Sequence, residues 1–337
     1  MTCAQEPSNP PVPLSGDEVK ELIAKTYDRN DFETLAGPYH FKATYQTFSP
    51  DGQVSGSGSI ERWASADGPM KTITRFGNHS MTEYSARRLK VSDIAPEALR
   101  YTDDGFDGNI MLYFARLALL YPTLPRPGII KRQTTPTVVS VPGDILDCGS
   151  VVLQIGPRDY PQPSNDRFCV SRSTGDLVLR HTDNLSIRFT DFSPFLDKSF
   201  ARTITGTQGS KMRFQVKLEQ LDQATIPVNQ LIAPPDASLK SPEPNIWATK
   251  PDETAAAHVD KVTPDPALKA THAAGQVILY VLVSRSGKVT DVETLFASSP
   301  ELASYATQIA YACTYKPIIR DGKPLQEIAH AYFTFRF

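Results

Sequence analysis

Tyr39, Phe41, Ala43 and Tyr45 alternate with His40, Lys42, Thr44 and Gln46, and the rhythm returns where Met212, Phe214, Val216 and Leu218 interleave with Arg213, Gln215, Lys217 and Glu219. A period of two sends successive side chains to opposite sides of an extended backbone, so each stretch is a strand with one apolar and one wet face. The region between them repeats the theme. Strands are expected around Val54 to Trp63, Met70 to Phe76, Ser80 to Val91, Val138 to Val141, Val151 to Ile155, Phe168 to Ser171, Leu177 to His181, Leu185 to Phe189 and Phe200 to Ile204. Such a series predicts a long antiparallel meander that curls to cover its apolar side. Gly56 and Gly58 mark a bend, or a place where another element comes close.

Two helices are at hand to cover that face. Ser15 caps a helix over 15–30 with Val19, Leu22, Ile23 and Tyr27 in one stripe. Ile110 to Tyr121 is an apolar run containing Arg116, short of the ~20 residues that span a bilayer, and is a core or lid helix. Residues 15–232 are therefore expected to form a half-barrel, an antiparallel curled sheet with a helix lid.

A second unit is legible over 270–337. Val277, Leu279, Val281 and Val283 alternate with Gln276, Ile278, Tyr280 and Leu282, a strand with one face well buried. The turn Ser284-Arg285-Ser286-Gly287-Lys288 leads into Val289, Val292, Thr294 and Phe296. Ser299-Pro300-Glu301 starts a helix with Leu302, Tyr305, Ala306, Ile309, Ala310 and Cys313 on one face, stopped by Pro317. Ile328 to Phe337 closes the unit with Ala329, Ala331, Phe333, Phe335 and Phe337 on one side. The overall class is α+β.

The opening Gly275-Gln276-Val277, the hairpin Ser286-Gly287-Lys288-Val289, the helix, and Tyr315-Lys316-Pro317 followed by Asp321-Gly322-Lys323-Pro324 resemble the TonB C-terminal domain family over about 262–337. Cys313-Thr314-Tyr315 departs from the Trp-Arg-Phe that members often carry there. The resemblance implies a periplasmic module with a ββαβ fold that captures peptides by strand addition. Known transducers of this family are driven through a membrane-spanning helix, and no such stretch stands in this sequence, so a passive docking module is expected rather than force transduction. The element order over about 15–232 resembles the LolA/LolB-like lipoprotein-carrier fold, without a diagnostic motif from which functional residues could be assigned.

Between the two units, 233–269 holds Pro234, Pro235, Pro242, Pro244, Pro251, Pro264 and Pro266 among polar residues and is expected to be a linker. Trp247 within it is expected to anchor locally on the N-terminal domain. Residues 1–14 read as a Pro-rich tail. Cys3 there is a candidate lipidation site whose preceding lipobox would lie upstream of Met1; the alternative is an exposed thiol. With 35 basic and 37 acidic residues, the formal charge of −2 gives no electrostatic case for nucleic acid, and Arg87-Arg88-Leu89-Lys90 is too short to change that.

Cys148 and Cys169 flank the proline-rich 157–163 loop in neighbouring predicted strands, where a hairpin would bring them together. A disulfide there implies an oxidising compartment; the alternative is two buried thiols. Cys313 is read as a small core residue. The histidines at 40, 79, 181, 258, 272 and 330 show no zinc spacing. Asp103 to Gly108 imitates a calcium loop but places Gly105 at the third position and Phe114 at the twelfth, where carboxylates are needed. Gly206 to Lys211 is too short between its glycines for a phosphate loop, and Ser55 to Ser59 lacks the setting of a nucleophile elbow.

No catalytic residue, metal or cofactor is therefore expected, and the chain reads as a non-enzymatic periplasmic binding protein, attached to the outer membrane if Cys3 is lipidated. The first functional expectation is β-augmentation at an edge strand carrying Ile328, His330, Tyr332, Thr334 and Phe335, with a peptide, a protein or a second copy as partner. The second is a lipid or lipoprotein carrier with an apolar cavity in the half-barrel.

Overall fold

In the computed structural model the described residues are 12–35, 37–66, 68–86, 99–102, 109–122, 130–133, 136–153, 166–182, 185–232, 246–248, 256–259, 262–317, 319–320, 323–324 and 326–337. They are mostly antiparallel β-sheet with few helices. Cys3, Arg87 to Lys90, Asp103 to Gly108 and the 157–163 loop lie outside the described residues.

Ser15 opens α1 (Gly16–Asn30) with a capping box: its hydroxyl accepts from the Glu18 amide at 3.4 Å, and its own amide donates to the Glu18 carboxylate at 2.6 Å. The strands that follow are β1 (Tyr39–Phe48), β2 (Val54–Ala64), β3 (Pro69–Phe76), β4 (His79–Ala86) and β5 (Leu99–Thr102), and then comes α2 (Ile110–Leu120). The next run is β6 (Ile130–Gln133), β7 (Thr137–Val141), β8 (Asp144–Leu153), β9 (Asp166–Ser171), β10 (Leu177–Thr182), β11 (Leu185–Phe195), β12 (Lys198–Gln208) and β13 (Lys211–Asp222). Two short strands, β14 (Ile246–Ala248) and β15 (Ala256–Val259), and α3 (Pro266–Ala270) lead into β16 (Ala274–Val283), β17 (Val289–Ala297) and α4 (Pro300–Ala312). The chain closes with β18 (Cys313–Tyr315), β19 (Ile319–Arg320), β20 (Lys323–Pro324) and β21 (Gln326–Arg336).

These elements divide into two compact units, Met1–Leu35 with Ala118–Gly206 and Ala36–Leu117 with Thr207–Phe337. In the first, the strand order is β12-β11-β10-β9-β8-β6, with β7 also on β8. Helix α1 lies close on β8: a Cβ added at Gly149 would come within 2.3 Å of Val19 Cγ1. Cys148 and Cys169 stand directly opposite each other in β8 and β9 and are joined by a disulfide. Both are buried, in a small apolar cluster with Leu146.

In the second unit the order is β5-β4-β3-β2-β1-β13, so the first and last strands of the expected meander pair with each other. Tyr39, Phe41, Ala43 and Tyr45 are buried, as their alternation predicts. Glycine at 58 is required by close approach: a Cβ there would lie 1.8 Å from the Arg75 carbonyl oxygen, which accepts the Tyr45 hydroxyl at 2.6 Å. At Gly56 the vacated space is filled by the Phe76 ring.

The same unit contains a second sheet of order β14-β21-β16-β17, with α4 on one face. Ser299 caps α4 by accepting from the Leu302 amide at 3.3 Å. Four features depart from the sequence reading. Helix α4 ends at Ala312 rather than at Pro317, because Cys313–Tyr315 extends to pair with β15. Cys313 is thus a strand residue rather than a helical one, buried in the α4 core as a small core residue should be. The expected linker contributes β14, which runs parallel to β21 with Trp247 opposite Glu327, so the backbone of 246–248 is paired with the C-terminal sheet. Finally, β16 is buried on both faces: Val277, Leu279, Val281 and Val283 face the α4 core, while Tyr280 and Leu282 are equally enclosed. Phe114 of α2 packs on Tyr280 with centroids 5.3 Å apart.

Candidate functional site

The first unit holds an apolar pocket. Its walls are Leu177, Phe189, Phe200 and Ile204 from the sheet, Phe32 just past α1, and Ala118, Leu119 and Pro122 from the end of α2 and beyond. Phe32 and Phe200 stack at 4.3 Å. Phe192 and Ala201 complete the lining.

The one polar side chain in the lining, Asn30, is fully engaged. Its amide donates to Asp176 Oδ1 at 3.1 Å and to the Ser199 carbonyl at 2.7 Å, and its Oδ1 accepts from the Leu177 amide at 3.0 Å. Arg29 Nε also donates to Asp176, at 2.7 Å. The network ties the end of α1 to β10 and β12 and leaves the pocket with a carbon surface. Its volume is about 20 Å³, room for about one water. Ligand pockets of drug-sized molecules start at roughly 300 Å³, so an acyl chain enters only if a wall moves.

In the second unit the expected strand-addition residues separate by face and by depth. Ile328 is buried, and its backbone already pairs with Ala248 of β14. Phe335 packs inward, 5.3 Å from Tyr305 of α4. His330 lies 4.8 Å from Tyr280 and 6.2 Å from Tyr332, which is 63 % exposed, and Thr334 is exposed. Phe337 donates its amide to the Ala273 carbonyl. With antiparallel alternation, this places the backbone groups of Thr334 and Arg336 on the side of β21 away from β16.

A polar cluster in this unit was not anticipated from the sequence. Arg213, assigned to the wet face of β13, is 1 % exposed, whereas its apolar neighbour Met212 is 37 % exposed. The guanidinium donates from Nε to the Phe48 carbonyl at 3.1 Å, from Nη1 to Gln208 Oε1 at 2.6 Å, and from Nη2 to the buried Glu293 carboxylate. Gln208 Nε2 in turn donates to the Thr294 and Leu295 carbonyls of β17 at 2.7 and 2.8 Å. Asp291, two residues before Glu293, accepts from the Ile110 amide at the start of α2 at 3.0 Å. Burial pushes both carboxyls above the ordinary range, against the opposing pull of Arg213. The available signal was two acids on the strand face that also carries Val289 and Leu295.

No family model matches the chain, and no curated protein matches it. Among solved structures, a LolA superfamily protein from Nitrosomonas europaea is 8% identical over 63% of this chain and 96% of its own, with a TM-score of 0.41. A DUF1329 family protein from Desulfovibrio piger is 9% identical over 62% of this chain and 93% of its own, with a TM-score of 0.44. The TonB C-terminal domain of Pseudomonas aeruginosa is 16% identical over 27% of this chain and 94% of its own, with a TM-score of 0.24. Scores at this level carry no functional argument.

Proposed function

We propose that the protein is a non-enzymatic binding protein of an oxidising envelope compartment, the periplasm, and that it takes an apolar ligand of the acyl-chain class in the pocket of its first unit. The carrying observation is a pocket lined with carbon, whose single polar side chain is already engaged by its own neighbours. Such a site recognises by shape and apolar area, not by polar contacts. The buried Cys148–Cys169 disulfide supports the compartment. Because the described cavity is about 20 Å³, binding opens the wall formed by Phe32, Phe200 and the end of α2.

Native mass spectrometry after gentle purification should show a co-purifying lipid adduct, and the delipidated protein should bind a fluorescent fatty acid. Ala201→Trp, at a half-buried position of the pocket lining, should weaken that binding at least about tenfold with little change in melting temperature. Absence of both adduct and probe binding overturns the reading.

A second reading is favoured by β14. The edge of β21 already accepts a parallel strand from its own chain at Gln326–Ile328, and β14 reaches no further along it. We infer that an extended peptide adds beyond that point, past Thr334 and Arg336. Thr334→Pro removes a donor directed away from β16 and should abolish peptide capture while sparing the inner ladder. Unchanged capture would count against strand addition.

A further inference from the structure

Asp291 and Glu293 stand two residues apart in β17, and Glu293 is the one that Arg213 hydrogen-bonds. Arg213 directs its hydrogen bonds to Phe48, Gln208 and Glu293. Asp291 is held instead by the Ile110 amide of α2 and by the Val292 amide, each at 3.0 Å. The group facing the pair from α4 is the Tyr311 hydroxyl, pushed up first by burial and then by the two carboxylates. With both acids ionised, this cluster of buried Arg213 and Glu293 and half-buried Asp291 carries two negative charges against one positive charge. A surplus charge in a poorly hydrated seam opposes closure of that seam.

We propose that the contact of β17 with Arg213, Gln208 and the start of α2 is a pH-responsive latch, tightened by a proton taken up at Asp291. The supporting directions agree. Burial is the largest influence on both carboxyls and raises both, Asp291's charge raises Glu293 further, and the amides of Ile110 and Val292 pull Asp291 down by less. A carboxyl raised in the closed state favours closure fully below the ordinary carboxylate range, and that contribution is lost as pH rises through the raised value. Acidification therefore closes the latch and a rise in pH loosens it.

Hydrogen exchange of the β17 amides in the intact protein, corrected for intrinsic rates, tests the latch from about pH 4 to about pH 8. The opening constant of the wild type should rise severalfold across that range. Asp291→Asn keeps an oxygen for the Ile110 amide but carries no charge, so its opening constant should rise less with pH than that of the wild type, Glu293 alone still titrating, and lie below it at the upper end. Glu293→Gln, which strands Arg213, should open β17 at every pH. Parallel pH profiles for wild type and Asp291→Asn, or a variant looser than wild type at high pH, overturn the proposal. The first outcome would make Asp291 a purely structural contact, and the second would make its ionised form the stabilising one at the α2 terminus.

Discussion

Arg213→Ala should destabilise the second unit by about 3–5 kcal/mol, because it leaves the Glu293 carboxylate buried without its cation. The substitution also removes the donors to Phe48 and Gln208, and Gln208 in turn holds two carbonyls of β17. Thermal unfolding and β17 hydrogen exchange read the loss. The pair Arg213→Met with Glu293→Gln should recover much of it, since a well-packed apolar replacement for a buried ion pair is often close to neutral. A single variant within about 1 kcal/mol of wild type would show that the guanidinium is not the keystone of this seam.

Removing the disulfide with Cys148→Ala and Cys169→Ala should destabilise the first unit by about 3 kcal/mol, the entropy that a crosslink across a separation of 21 residues withdraws from the unfolded chain. The two sulfurs are buried between β8 and β9, and Cys148 is the direct chain neighbour of Gly149, the position against which Val19 of α1 packs. Loosening should therefore reach the contact of Gly149 with Val19 and appear as faster exchange in α1. A reductant should reproduce the double variant's melting temperature in the wild type. Equal melting temperatures with and without reductant, with mass spectrometry showing free thiols in both samples, would remove the disulfide from the account.

Much of the local architecture was legible in advance. The alternation at Tyr39 to Gln46 named the buried face correctly, Ser15 and Ser299 marked helix starts, and Gly58 signalled the approach of Arg75. These features depend on neighbouring residues in the chain, and short-range sterics and capping chemistry are written into adjacent positions. The pocket was expected only as a cavity of some kind in the first sheet. Its lining comes from five separated stretches, and the pairing of Phe32 with Phe200 has no local signature.

Other readings failed where a distant element covered a surface. Arg213 has the alternation of a wet position but is enclosed by β17, and Tyr280 and Leu282 sit on what looked like the freer face of β16 until α2 packed there. Trp247 lies in a proline-rich segment, yet that segment forms a strand by borrowing hydrogen bonds from β21. The sequence by itself determined which stretches are strands and helices, where they are capped, and which strand faces are apolar, because periodicity and turn chemistry act over a few residues. Only the tertiary structure decided which wet faces are buried, which acids share one cation, and how small the pocket is, because those follow from residues brought together across long separations, where desolvation and packing replace local preference.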